Sequence, residues 1–181
     1  MSVGILLLRI VVGLLFIGHG TQKLFGWFGG HGRAGTARFV GSLGYRPPGT
    51  MAVVAGVTET VGGTLLLLGL LSPVGAALII GMMVSAILAV HASRGIWNEN
   101  GGLELPLVYI FVALAVAFTP GRYSLDRVIG LEWNGRVAGV AALGVGIIVA
   151  VGLAVAREFD RAGPATEELP AAEGESSRTA A

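Results

Sequence analysis

Runs of apolar residues close to the length of a membrane crossing recur five times along this chain, and the few polar residues inside them are unevenly placed. The most telling stretch is residues 51–91, MAVVAGVTETVGGTLLLLGLLSPVGAALIIGMMVSAILAVH. A hydrocarbon core about 30 Å thick is crossed by about 20 residues at 1.5 Å rise, and residues 51–71 and 73–91 both come near that length. Ser72 and Pro73 interrupt the run. Ser is a good N-cap, and Pro is tolerated at the first helical position because its missing N–H would have no partner there. The pattern therefore predicts a transmembrane hairpin whose first helix carries Glu59 near its middle. Four Val and six Leu in that helix contribute together roughly −3 to −6 kcal/mol on insertion scales, against about +2.5 to +3.5 for one central charge. The segment inserts, with much of its margin taken up by Glu59.

The remaining spans are predicted over residues 3–23, 103–119 and 137–156. In the first, at about 100° per residue, Arg9, His19 and Lys23 fall within an arc of about 80°, leaving the other side free for lipid. Residues 24–50 read as a long interfacial loop, with Gly throughout, Trp27 and two Phe, a short helix over 36–43 lying in the headgroup region, and Pro47 and Pro48 stopping the backbone before the second span. Small residues four apart, Ala52, Gly56, Thr60 and Thr64 in the second span and Ala77, Gly81, Ser85 and Ala89 in the third, mark close helix packing. Pro106 and Glu104 suit the first turn of the fourth span. The division is a four-helix core over 1–126, a turn and fifth span over 127–156, and an acidic disordered tail over 157–181. The fold class is all-α, a polytopic transmembrane helical bundle.

Composition agrees, with 54% hydrophobic and 13% charged residues and 30 Gly, where soluble domains carry about 25% charged residues. A net charge of +1 without a basic patch argues against nucleic acid. The absence of Cys excludes a structural disulfide, a thiolate metal site and a thiol relay, so any redox role needs a bound cofactor or a partner. The opening VGILLLRIVVGLLFIG is not read as a signal peptide: Arg9 interrupts it, no small-x-small cleavage site follows, and it runs into the basic and aromatic HGTQKLFGWF. Lys23, Arg33, Arg38 and Arg46 in the first loop and Arg157 and Arg161 after the fifth span outnumber the basic residues on the other side, which places these segments inside and the N-terminus outside.

Over residues 6–126 the chain resembles the DoxX family of bacterial membrane proteins. The resemblance rests on LLLRIVVGLLFIGHGTQKLFG with Arg9, His19, Gly20 and Lys23, on ETVGGTLLLLGLLSP with Glu59, on His91, and on GGLELPLVYIFVALAVAFTPGRYSLD with Glu104, Ser124 and Asp126. It implies a four-helix bundle in the bacterial inner (plasma) membrane, with relatives linked to quinone or sulfur oxidation or to oxidative-stress complexes. The fifth span departs from that pattern.

Alternating spans bring His19, Lys23, Glu59, His91 and Glu104 toward one leaflet, with Arg9 deeper. Ionisable groups inside a membrane are candidates for function. Singly, each has a structural role that would suffice: Lys23 snorkelling to headgroups, Glu104 at a helix N-terminus, His91 at an interface, and Arg9 paired with Glu59. The two His and two Glu lack the i, i+3 or i, i+4 spacing of helical metal motifs, and His31 reads as a solvated loop residue. Three functions stand as alternatives: a membrane subunit of a redox system binding a quinone-like molecule, a scaffold recruiting a soluble redox enzyme, and a small-molecule transporter. A transporter would need a homo-oligomer, since the chain shows no internal repeat.

Overall fold

A computed structural model describes residues 2–162, and among these the only regular structure is helical. The helices are α1 (Ser2–Phe25), α2 (Gly32–Ser42), α3 (Pro48–Leu68), α4 (Ser72–Ala86), α5 (Glu104–Phe118), α6 (Leu125–Val128) and α7 (Gly135–Ala162). A π-turn over Ile87–His91 and a 3-10 turn over Ala92–Arg94 prolong α4. Four segments, Val3–Phe25, Pro48–Leu68, Ser72–Arg94 and Gly135–Arg161, are long and apolar enough to cross a bilayer. The fourth predicted span is shorter than the sequence suggested: α5 has 15 residues, about 22 Å at 1.5 Å per residue. It still runs from one end of the bundle to the other. The N-terminal pole holds the start of α1, the α3–α4 turn and the α5–α7 connection. The α2 pole holds α2, the 95–103 loop and the end of α7.

Packing follows the small residues. A Cβ on Gly13 would lie 2.8 Å from the Gly63 carbonyl, and one on Gly63 would lie 2.7 Å from the Gly13 carbonyl and 2.9 Å from the Phe16 Cβ. Gly20 and Gly56 meet in the same way next to Thr60 and Leu24. Backbones this close gain dispersion contacts without oily burial to drive them, the usual basis of helix association in lipid. On the other side of the bundle Gly81 of α4 crosses Gly146 of α7. Of the predicted ridges, Gly56, Thr60 and Gly81 thus lie at contacts, whereas Gly13, Gly20, Gly63 and Gly146 carry equal weight at other spacings. The core between the helices is built from Val12, Phe16, Leu66, Ala76, Ile79, Ile80, Ile110, Ala113, Val116, Ala117 and Ala142. The outward faces, with Leu7, Val11, Phe111, Val140 and Ile148, are apolar and exposed, as lipid requires.

Two boundaries differ from the sequence reading. The interfacial helix starts at Gly32 rather than 36, and its buried Thr36 donates to the Lys23 carbonyl at 3.4 Å. The last helix does not end at 156. It continues through Arg157 and Arg161 because both side chains find anchors on the α2–α3 linker: Arg161 Nη2 donates to the Leu43 carbonyl at 2.6 Å, and the Arg157 guanidinium lies 5.5 Å from the Tyr45 ring centre. The acidic stretch beyond 162 lies outside the described residues.

Gly63→Ala is expected to lower thermal stability in detergent by about 1 to 3 kcal/mol, as overpacking does. Gly144→Ala, where the added methyl meets nothing within 4 Å, is expected to be neutral or stabilising by up to about 1 kcal/mol through helix propensity. Paired melting curves would check both.

Candidate functional site

Polar side chains gather in two layers, one at each pole. At the N-terminal pole α3 closes with a Schellman turn in which Gly69 is left-handed (φ 62°), and the Leu70 and Gly69 N–H groups return to the Leu65 and Leu66 carbonyls at 3.0 and 3.2 Å. Helix ends at this depth expose backbone groups that lipid cannot satisfy. Arg9, 1% exposed, meets that demand. Its Nε donates to the Leu66 carbonyl at 2.9 Å, Nη2 to Leu67 at 3.0 Å, and Nη1 to Pro120 and Tyr123 at 3.1 and 2.8 Å. A guanidinium fork suits this role, since its five donors lie in one plane.

Asp126, also 1% exposed, does the converse for α4. Its carboxylate accepts from the Leu71 N–H at 2.6 Å, the Ser72 N–H at 2.9 Å, the Ser72 hydroxyl at 2.7 Å and the Trp133 indole at 3.1 Å, while its own N–H donates to the Gly69 carbonyl at 2.9 Å. Ser72 is therefore the first helical residue rather than the cap. Leu71 holds the flanking position in a left-handed conformation (φ 46°), and the capping carboxylate arrives from a residue 54 positions along the chain. A cation at the end of α3 and an anion at the start of α4 each oppose the local helix dipole. This layer is architectural.

The second layer, toward the α2 pole, is different. Lys23 Nζ donates to Glu59 Oε2 at 2.5 Å, with 30% and 5% of the two side chains exposed. The expected Arg9–Glu59 pair does not form, and the register explains why. Arg9 lies beside Gly69, ten residues from Glu59, a rise of about 15 Å. Helical side chains tilt toward their own N-terminus, so Lys23 on α1 and Glu59 on antiparallel α3 lean toward each other, whereas Arg9 and Glu59 lean apart.

The other sequence candidates have local partners. His19 faces outward from the bundle, its Nδ1 3.2 Å from Gln22 Oε1. Gln22 Nε2 donates to the Phe28 carbonyl at 3.3 Å, which leaves Oε1 to accept from the His19 ring. His91 Nδ1 lies 2.6 Å from the Gly101 carbonyl, which can only accept, and thereby ties the π-turn to the following loop. Glu104 accepts from the Asn98 N–H at 2.9 Å and closes that loop around a polar recess of about 270 Å³ lined with Trp97, Asn98 and Glu99. The structure thus joins Lys23 to Glu59 and keeps His19, His91 and Glu104 apart from that pair. Sequence reasoning gives no role to Asp126, Trp133, Gln22 or Tyr109. Asp126 is visible as a residue of the family resemblance, but no spacing ties it to Leu71 and Ser72.

The DoxX family model matches residues 4–92. The chain is 30% identical over 122 residues to a Bacillus subtilis protein named "Putative oxidoreductase CatD", covering 67% of this chain and 83% of the relative. It is 29% identical over 134 residues to the Escherichia coli inner membrane protein YqjF (73% and 96%) and 31% identical over 133 residues to the Escherichia coli inner membrane protein YphA (68% and 88%). No solved structure matches the chain. These matches, with an all-helical bundle of membrane-length spans, show that the chain belongs to the DoxX family. It is a multi-pass protein of the bacterial inner membrane.

Removing one partner of a half-buried ion pair strands the other, so Lys23→Met or Glu59→Gln alone is expected to reduce stability in detergent by about 1 to 3 kcal/mol, and the double substitution to recover part of the loss. Arg9→Met combined with Glu59→Gln is expected to be additive within about 0.5 kcal/mol, the behaviour of distant sites. Melting curves for the full set of single and double variants would read both couplings.

Proposed function

We propose that this protein is a small membrane subunit of a redox system that engages a lipid-soluble, quinone-like molecule from the leaflet at the α2 pole. The Lys23–Glu59 pair carries the reading: an ammonium and a carboxylate are retained within two membrane-length helices, the carboxylate buried and the ammonium partly open. Charges cost several kcal/mol there, and those that persist commonly serve proton or substrate chemistry. His19 stands exposed on the outward face of the same helix, one turn before Lys23, with its Nδ1 beside Gln22. A chain without Cys has no electron carrier of its own, so the lipid-soluble molecule and a soluble redox enzyme would supply the couple. The oxidoreductase name of the Bacillus subtilis relative points the same way.

The test is titration of the protein in nanodiscs with short-tailed ubiquinol and menaquinol analogues, with binding read by calorimetry. Saturable binding, weakened tenfold or more in Glu59→Gln, is expected. Absence of saturable binding by any quinol or quinone would overturn the reading and favour a scaffold that presents its exposed Trp27, Phe28, Phe39 and Trp97 to a partner.

A further inference from the structure

A groove of about 360 Å³ runs along α4 between α3 and α7. Val54 and Thr58 form its α3 wall, and Val145, Val149 and Leu153 its α7 wall. Its floor is the small-residue ridge of α4, Ala77, Gly81 and Ser85, whose short side chains leave the space above them open. Along α4 the lining extends from Pro73 to Ser85, and along α7 from Ala141 to Leu153, about 18 Å in each case. One leaflet of a hydrocarbon core about 30 Å thick is about 15 Å deep. No charged side chain among the described residues lines the groove, and Val54, Val74, Val145 and Val149 are exposed on it. Trp133 lines its end at the N-terminal pole, held there by its hydrogen bond to Asp126.

The other end leads to cations. Arg157 lies one turn beyond Leu153 on α7, about 40° around the helix, with 11% of its side chain exposed. Its Nη2 donates to Glu158 at 2.8 Å and its guanidinium lies 5.5 Å from the Tyr45 ring centre. Its Nε is buried with no hydrogen-bond partner among the described residues, a costly state for a charged donor. A single oxygen of Glu158 serves both Arg157 and Arg161. Arg46, Arg157 and Arg161 against Glu158 and Asp160 leave one net positive charge where α7 ends beside the α2–α3 linker.

We propose that this groove holds one acyl chain of an anionic phospholipid, whose phosphate accepts a hydrogen bond from Arg157 at the α2-pole mouth. The site is independent of the redox-subunit reading. A transmembrane helix is too thick an occupant: at about 10 Å across, 18 Å of helix displaces roughly 1,400 Å³, about four times the groove. A single flexible chain fits both its volume and its one-leaflet length. The cations at the mouth select the headgroup, as basic groups between membrane helices do for anionic lipids. A zwitterionic lipid offers the same chains and phosphate but brings a cation of its own, which the positive excess repels. Seated there, the chain would fill the gap between α3 and α7 and fasten the fifth span to the other helices.

The experiment adds dioleoyl phosphatidylglycerol or dioleoyl phosphatidylcholine to the full chain in detergent and counts retained lipids by native mass spectrometry. Wild type is expected to retain one phosphatidylglycerol, preferred over phosphatidylcholine about fivefold, the effect of one basic residue near a membrane surface. Arg157→Gln is expected to abolish that preference and Arg157→Lys to keep most of it. Val149→Trp, which fills the groove, is expected to lose the retained lipid. Ile148→Trp, on the outward face of the same helix, is expected to keep it. Melting curves establish that the four variants fold. Phosphatidylglycerol with a diazirine in its acyl chain is expected to crosslink wild type at peptides containing residues 73–85 and 141–153, a readout that stands even if Val149→Trp fails to fold. Equal retention of the two lipids by wild type, an unchanged preference in Arg157→Gln, retention unaffected by Val149→Trp, or crosslinks confined to other peptides would overturn the assignment. So would a lipid-free dimer that dissociates in Val149→Trp, since a second copy would then cover the groove.

Discussion

Backbone groups at helix ends are the main unmet demand of this fold. A bilayer offers no water to the four terminal N–H and four terminal carbonyl groups of each helix. The chain meets the demand with two buried ionised side chains. Arg9 gathers carbonyls from α3 and from the segment after α5, and Asp126 caps α4 while its own backbone closes on Gly69. Gly69 serves both, because its left-handed turn ends α3 and a side chain there would collide with the Arg9 guanidinium. Helices α1, α3, α4 and α5 are joined at this pole through hydrogen bonds that leave neither charge unsatisfied.

With that pole fixed, the glycine contacts of α1 and α3 set what happens at the other. Gly13 beside Leu67, Gly63 beside Phe16 and Gly20 beside Thr60 define one antiparallel register. In that register Lys23 and Glu59 are within reach of each other. A shift of one helical turn would separate them, so the packing surface and the buried ion pair specify the same alignment. The polar residues thereby divide between two roles. Those at the N-terminal pole complete the backbone, and those toward the α2 pole form one ion pair and three local contacts.

Much of the architecture was legible in the sequence because lipid imposes a coarse rule: twenty apolar residues, a break, twenty more. The Ser72–Pro73 break is found where hydropathy puts it, and a membrane-length helix covers the predicted fifth span and runs past its end. The differences come from interactions that hydropathy does not encode. Helix α7 outlasts its apolar stretch because Arg157 and Arg161 reach Tyr45 and Leu43, a contact across more than a hundred residues. Counting residues along each helix matches Arg9 with Glu59, but the direction of side-chain tilt separates the two, and that rule applies to the sequence alone. Asp126 is beyond the reach of such rules, since its partners are backbone N–H groups, which every residue but Pro possesses. For the candidate site, the polar residue types were visible, and their division into one ion pair, two independently anchored imidazoles and a loop-closing carboxylate required the structure.

The claim that side chains stand in for water at the helix ends is tested most directly by hydrogen–deuterium exchange of the peptides covering residues 66–75 in wild type and Asp126→Ala. If the Asp126 carboxylate caps α4, the amides of Leu71 and Ser72 are protected in wild type and exchange at least tenfold faster in the variant, while peptides spanning Gly13 and Gly63 keep their protection. Unchanged exchange at Leu71 and Ser72 would contradict it.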